Sequence, residues 1–230
     1  MTNTQLRSTL LLFLAALALI AGMGYFYTKE AKRKPAKLLD TFGRVEEDSI
    51  GAGGERFTIS RPKKVGPFSF IDQTGATITQ ADFAGKIYVT DFFFTTCQSI
   101  CIPMGKNMSA LAKDLKAKPD LLFLSHTVHP ENDSVPVLLE YARLHQADPK
   151  QWHLVTGSKK ALYDMARFQY FIDATVGNGG PEDFLHSDKF TLVDKQSYIR
   201  GYYDGTLPSE MERLKKDIAL LEQEERLARE

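Results

Sequence analysis

Ile87-Tyr88-Val89-Thr90-Asp91-Phe92-Phe93-Phe94, followed at once by Thr95-Thr96-Cys97-Gln98-Ser99-Ile100-Cys101, decides how this chain folds. The first eight residues are a dense β-branched and aromatic run of the kind a buried strand uses. Beyond the cysteines, Met104 to Lys113 carries apolar residues at helical spacing. The two cysteines are therefore expected at a strand-to-helix turn. Their i, i+4 separation places both sulfurs on one helix face if the helix starts at or before Cys97. Unpaired amides and the helix dipole at that end favour thiolate over thiol, and thiolate is the form that binds a soft metal or attacks a disulfide.

Working outward, Leu121 to Val128 reads as a second strand, followed by a helix around Val135 to His145. Trp152 to Val155 reads as a third strand, followed by a helix around Lys159 to Gln169. This alternation predicts a parallel βαβ arrangement. Lys189 to Asp194 and Tyr198 to Tyr203 flank Lys195-Gln196-Ser197 as an antiparallel hairpin. Ser209 to Glu230 is a charged amphipathic helix with Met211, Leu214, Ile218 and Leu221 on one face. On the other side of the opening stretch, Phe68 to Ile71 and Ala76 to Thr79 bracket the turn residues Asp72-Gln73-Thr74-Gly75 as a hairpin. The expected class is α/β, a thioredoxin-like fold with an extra N-terminal β-hairpin, preceded by one N-terminal transmembrane helix.

That last element rests on Thr9 to Phe26, eighteen residues without a charge, just enough to cross the hydrocarbon core as a helix. Arg7 and the small residues Ala16-Leu17-Ala18 also fit a signal peptide, but the apolar run continues past them, which favours an uncleaved anchor. Lys29, Lys32, Arg33, Lys34 and Lys37 follow the segment, so the positive-inside rule alone keeps the domain cytoplasmic. The site chemistry described next points to the opposite side. No cysteine lies near the segment to carry a lipid. The expected organisation is residues 1–28 as membrane anchor, 29–64 as linker and lead-in strand, and 65–230 as the globular domain. With 230 residues, 43% hydrophobic and 25% charged, one domain plus appendages is the default. Lys+Arg and Asp+Glu both total 29, which sets nucleic acid aside as a partner.

Two cysteines are too few for a disulfide scaffold and too close in sequence for unrelated buried thiols. They cannot close a structural zinc site, which takes four protein ligands. Soft thiolates select Cu(I), and one added imidazole gives a set that also serves Cu(II). Redox pairs normally use Cys-x-x-Cys, and the extra residue here leaves room for an ion between the sulfurs yet still permits a disulfide and redox cycling without metal; two core cysteines on a buried helix are the bland alternative. Among five histidines, His186 is best placed. It follows the loop of Gly177, Gly179, Gly180 and Pro181 and precedes the strand from Lys189, where the loop faces the cysteine turn in this fold plan. His126 and His129 end a strand on the ligand-gathering side of the sheet, while His145 and His153 read as structural. Met104 and Met108 continue the cysteine stripe at i+7 and i+11 and read as core packing.

The stretch Gly85 to Cys101, with His186-Ser187 and Asp194, resembles the Sco/SenC family. The resemblance runs from about Pro67 to Asp204 and includes Pro130-Glu131-Asn132-Asp133 and Leu139-Glu140-Tyr141-Ala142. It implies a membrane-tethered, thioredoxin-like copper protein on the extracytoplasmic (periplasmic) side. Its implied ligands are Cys97, Cys101 and His186, holding Cu(I) or Cu(II), with a copper-bearing subunit of cytochrome c oxidase, or another copper protein, as recipient. Four positions depart from the family pattern: Gln98 and Ile102 replace prolines after the cysteines, Leu185 replaces an aspartate before the histidine, and His129 replaces an aspartate before Pro130. The alternatives are a membrane-anchored thiol-disulfide oxidoreductase without stable metal, and an interaction module that uses the C-terminal helix.

Overall fold

The computed structural model describes residues 18–21, 23, 38–52, 55–172 and 187–229. Residues Leu39–Leu221 form one compact unit, and the chain up to Leu38 with the last residues from Glu222 forms another.

A seven-stranded mixed sheet organises the larger unit. In chain order its strands are β3 (Ser69–Asp72), β4 (Thr77–Thr79), β5 (Ile87–Phe93), β6 (Leu121–Thr127), β7 (Trp152–Thr156), β8 (Lys189–Val193) and β9 (Ile199–Asp204), after a separate pair β1 (Val45–Ala52) and β2 (Glu55–Pro62). The spatial order is β4-β3-β7-β6-β5-β8-β9. Strands β5, β6 and β7 are parallel, as the βαβ pattern requires, and β3 and β8 flank them antiparallel. All seven residues of β5 and of β6 are buried, which explains why neither strand shows the apolar-polar alternation of a half-exposed one.

Period-two alternation then sorts those residues to two sides. Ile87, Val89, Phe93, Leu121 and Phe123 pack under helices α1 (Cys101–Asp114), α2 (Val135–Leu144) and α4 (Pro208–Arg229), the last through Met211, Leu214, Ile218 and Leu221. Tyr88, Phe92, Leu122 and Leu124 pack against Phe68, Phe70 and helix α3 (Lys159–Asp164) on the other side. Each such apolar side chain contributes on the order of 1.5–3 kcal/mol by leaving water.

Several local features differ from the sequence expectation. The segment read as linker and lead-in contains the β1–β2 pair, with Ala52 opposite Glu55 across Gly53-Gly54, a dipeptide suited to a two-residue hairpin. The helix expected over Lys159 to Gln169 changes at Met165 into a π turn, closed by Tyr170 N donating to the Met165 carbonyl at 2.9 Å. The wider turn lets Met165, Ala166 and Tyr170 all face the core. No helix among the described residues is long and apolar enough to cross a membrane, and most of the expected Thr9–Phe26 span lies outside them.

Turn chemistry behaves as read. Gly75 at φ +84° closes the β3–β4 turn, where the Asp72 carboxylate accepts from Thr74 N, the Thr74 hydroxyl and Ala76 N. Asp194 does the same in the β8–β9 turn for Gln196 N and Tyr198 N. Its other oxygen accepts from Arg200 Nη1 at 2.9 Å, and that guanidinium also donates to the carbonyls of Leu39 and Asp40. One buried cation thus ties the start of the unit to its closing hairpin. Arg200→Met leaves Asp194 buried without its counter-charge and two carbonyls without their donor, so it should cost about 3–5 kcal/mol in urea unfolding.

Candidate metal and thiol site

Strand β5 ends at Phe93, and the chain then turns before α1 begins at Cys101. This differs from the condition set by the i, i+4 reading, because Cys97 precedes the helix instead of riding on it. Cys97 N donates to the Phe94 carbonyl at 3.2 Å, and the Cys97 sulfur faces the free amides of Ser99 and Cys101. Those are donors that a helix start leaves without partners, so Cys97 occupies the anion position of the helix N-terminus. Pro103 sits in the first turn, where no backbone donor is lost.

A buried carboxylate holds this turn in place. The Thr95 hydroxyl donates to Asp133 Oδ1 at 2.5 Å, Thr95 N donates to Oδ2 at 3.2 Å, and the Thr127 hydroxyl from the end of β6 also donates to Oδ2. Asp133 therefore pins the residues before Cys97 to the neighbouring strand.

Both cysteines are free and nearly buried, each 6% exposed, yet their protonation differs. Burial works against a Cys97 thiolate, but hydrogen bonds from the Cys101 thiol, the Ser99 hydroxyl 3.5 Å away and the two amides outweigh it, so its pKa is lowered. At Cys101 burial, reinforced by its hydrogen bond to Cys97 and the Cys97 charge, pushes the thiol up to about 12. Cys97 is thus the sulfur that gives up its proton first, and Cys101 holds its proton more tightly.

Asp91, the lone acid of the β5 run, faces the same side of the sheet. It accepts from Ser125, whose hydroxyl accepts from Trp152 Nε1 at 2.9 Å, and its Oδ1 is buried without a partner. Burial raises its pKa to about 7, from 3.8 for an ordinary aspartate. Tyr141 stacks on Phe93 at 4.9 Å and approaches α1 closely at Gly105. A Cβ at Gly105 would lie 2.6 Å from His145 Cε1 and 3.1 Å from the Tyr141 hydroxyl, so any larger residue there must displace the ends of these two side chains. Burial, then the charges of Asp91, Cys101 and Cys97, keep the Tyr141 phenol protonated. Asp91 and Tyr141 lie in the stretches that carry the family resemblance but drew no site role from the sequence; the one signal is a single acid inside an otherwise apolar and hydroxyl-bearing strand.

The histidines separate clearly. His126 points to the opposite side of the sheet, stacked on Phe92 at 4.8 Å with Nδ1 3.1 Å from the Thr90 hydroxyl, and burial lowers its pKa to about 3. His153 pairs with Asp72 at 3.1 Å, and His145 pairs with the Ser109 hydroxyl at 3.0 Å. His129 lies edge-on to Phe94. Met104 and Met108 are core residues, 1% and 0% exposed. His186 lies outside the described residues. Among the described residues no three His, Cys, Asp or Glu side chains converge to hold a metal ion. The two sulfurs suit a soft cation and need at least one further donor.

Two outcomes follow from this geometry. The unfolded chain ionises Asp91 near pH 4 and the native protein only near 7, so the native state binds the extra proton between those values and loses stability as pH rises through them. Asp91→Asn should abolish that fall and stabilise the protein at pH 8 by about 2–4 kcal/mol, read by urea unfolding at pH 5 and pH 8. Alkylation of the reduced protein at neutral pH should mark Cys97 before Cys101, with peptide mapping as the readout.

Residues 57–221 match the family model described as SCO1/SenC. The fold is shared with a SCO1/SenC family lipoprotein from Bacillus anthracis, at 29% identity and a TM-score of 0.62 over 69% of this chain and 94% of that one. BsSco, a member of the Sco family of cytochrome c oxidase assembly proteins in which a disulfide switch is identified, is 28% identical, with a TM-score of 0.58 over 68% of this chain and 91% of that one. Arabidopsis thaliana ScoI, solved with copper bound, is 26% identical, with a TM-score of 0.56 over 69% of this chain and 99% of that one. With a strand-to-helix thiol pair on this mixed α/β fold and a family match across most of its length, the chain belongs to the SCO1/SenC family.

Proposed function

We propose that this protein is a copper chaperone or assembly factor that holds copper through the sulfurs of Cys97 and Cys101 and the imidazole of His186. The recipient in this reading is the copper centre of cytochrome c oxidase, to which it delivers the ion or whose cysteines it reduces. The observation that carries the proposal is the placement of two free thiols at one helix start, with Cys97 just ahead of α1 beside the Ser99 hydroxyl and Cys101 in its first turn. Cys97, whose pKa is lowered, is the sulfur that ionises more readily to a soft anionic donor, and Cys101 adds a second donor once it gives up its proton. Loading therefore releases protons, and apparent affinity rises with pH. The copper-bound Arabidopsis relative and the oxidase-assembly relative support the same cargo and destination.

The proposed organisation is a membrane anchor over residues 1–28, a linker and lead-in over 29–64, and the copper-binding domain over 65–230 on the extracytoplasmic side. The apolar run from Thr9 to Phe26 supports the anchor. A second reading, a membrane-anchored thiol-disulfide oxidoreductase, draws on the same asymmetry, since a thiolate beside a protonated thiol is what disulfide exchange needs.

Copper titration of the reduced protein separates the two. We expect one copper per chain and, with Cu(II), a strong sulfur-to-copper charge-transfer band lost in Cys97→Ala, Cys101→Ala and His186→Ala alike. An unchanged band in His186→Ala removes that residue from the site, and thiol exchange without copper affinity transfers the function to the second reading.

A further inference from the structure

Helix α1 leads away from the cysteine pair along one wall of a groove of about 820 Å³, with α2 contributing the facing wall. Ile102, Lys106, Ala110 and Lys113 line it at successive helical turns, and Lys116 continues the row just past the helix end. The lips carry two exposed apolar side chains: Ile102, next to Cys101, is 44% exposed, and Leu144 on α2 is 75% exposed. These two side chains give the groove apolar contact points at its lips.

Charge is unevenly placed as well. The whole chain is balanced at 29 basic and 29 acidic residues, yet this groove is lined by three lysines against one carboxylate, Asp148. Neighbouring acids are already engaged, Asp114 by Lys215 and Glu140 by Arg143. Among the described residues the ammonium groups of Lys106, Lys113 and Lys116 have no ion-pair partner. His145 adds no positive charge at neutral pH, because burial lowers its pKa. The row extends about 20 Å along α1, the span of about six residues of extended peptide.

We propose that this groove docks an acidic, extended segment of the protein served by the Cys97–Cys101 site, lying along α1 with its apolar side chains on Ile102 and Leu144 and its carboxylates on the lysine row. This rests on the reading of the cysteines as a transfer site, and it adds the chemistry of the partner. A segment seated this way ends at Cys97, so docking and delivery share one axis.

The test uses the full chain in detergent and two labelled, cysteine-free peptides, one alternating Glu with Leu and the other Lys with Leu. Fluorescence anisotropy at about 10 mM salt, where the Debye length is about 30 Å, reads binding without any thiol or copper chemistry. We expect the acidic peptide to bind at least tenfold tighter than the basic one. That ratio should fall to one or below in the Lys106→Glu/Lys113→Glu double variant, while Lys160→Glu, on the other side of the sheet, keeps it. Leu144→Ser should weaken the acidic peptide several-fold. Equal binding of the two peptides, or a preference that survives the double charge reversal, overturns the proposal. So does capture of phosphatidylglycerol vesicles through the same lysines without a peptide preference, which makes the row a membrane-facing surface. Copper titration of the same samples reports on the transfer site separately: a protein that binds copper without discriminating the peptides loses only the groove, and one that discriminates them without binding copper loses only the copper reading.

Discussion

A strand covered on both faces has only its ends free for chemistry, and β5 is such a strand. Every residue from Ile87 to Phe93 is buried, between helices on one side and the aromatic cluster of Phe68, Phe70 and Tyr170 on the other. The chain leaves this strand and turns through Cys97 before α1 can start. The Asp133 carboxylate fixes that turn to the end of β6, so the position of both sulfurs is inherited from the rigid centre of the sheet. Placing reactive groups on rigid elements is what keeps their geometry tight.

The unequal protonation of the pair follows from this placement. Cys97, ahead of the helix, receives amide hydrogens, whereas Cys101, inside the first turn, is surrounded by apolar side chains and lends its own proton to its neighbour. Had α1 begun four residues earlier, both sulfurs would have competed for the same helix end.

Much of this was legible in residue order. The β5 run, the parallel strands at Leu121 and Trp152, both hairpins and the apolar stripe of α4 are periodic signals that tertiary packing has no cause to override. The cysteines announced themselves by isolation. What remained hidden depends on contacts between distant residues. The helix start at Cys101 is set by backbone geometry that i, i+4 spacing does not encode, and the π turn at Met165 by where Tyr170 must point. His126 shows the same limit: it sits at the strand end where ligands gather, but the parity of β6 sends its ring to the far side of the sheet. The lysine row was equally invisible in a chain whose total charge is zero.

The chain of hydrogen bonds from Trp152 through Ser125 to Asp91 crosses three adjacent parallel strands, β7, β6 and β5. Apolar alternation alone tolerates a slip of two residues between strands, since every side chain returns to the same face. This polar cross-tie does not. A two-residue slip separates Asp91 from Ser125, its partner in register, and strands a carboxyl group in the core. The three residues therefore make the native alignment of the strands distinct from the slipped ones that the greasy surfaces on either side would accept.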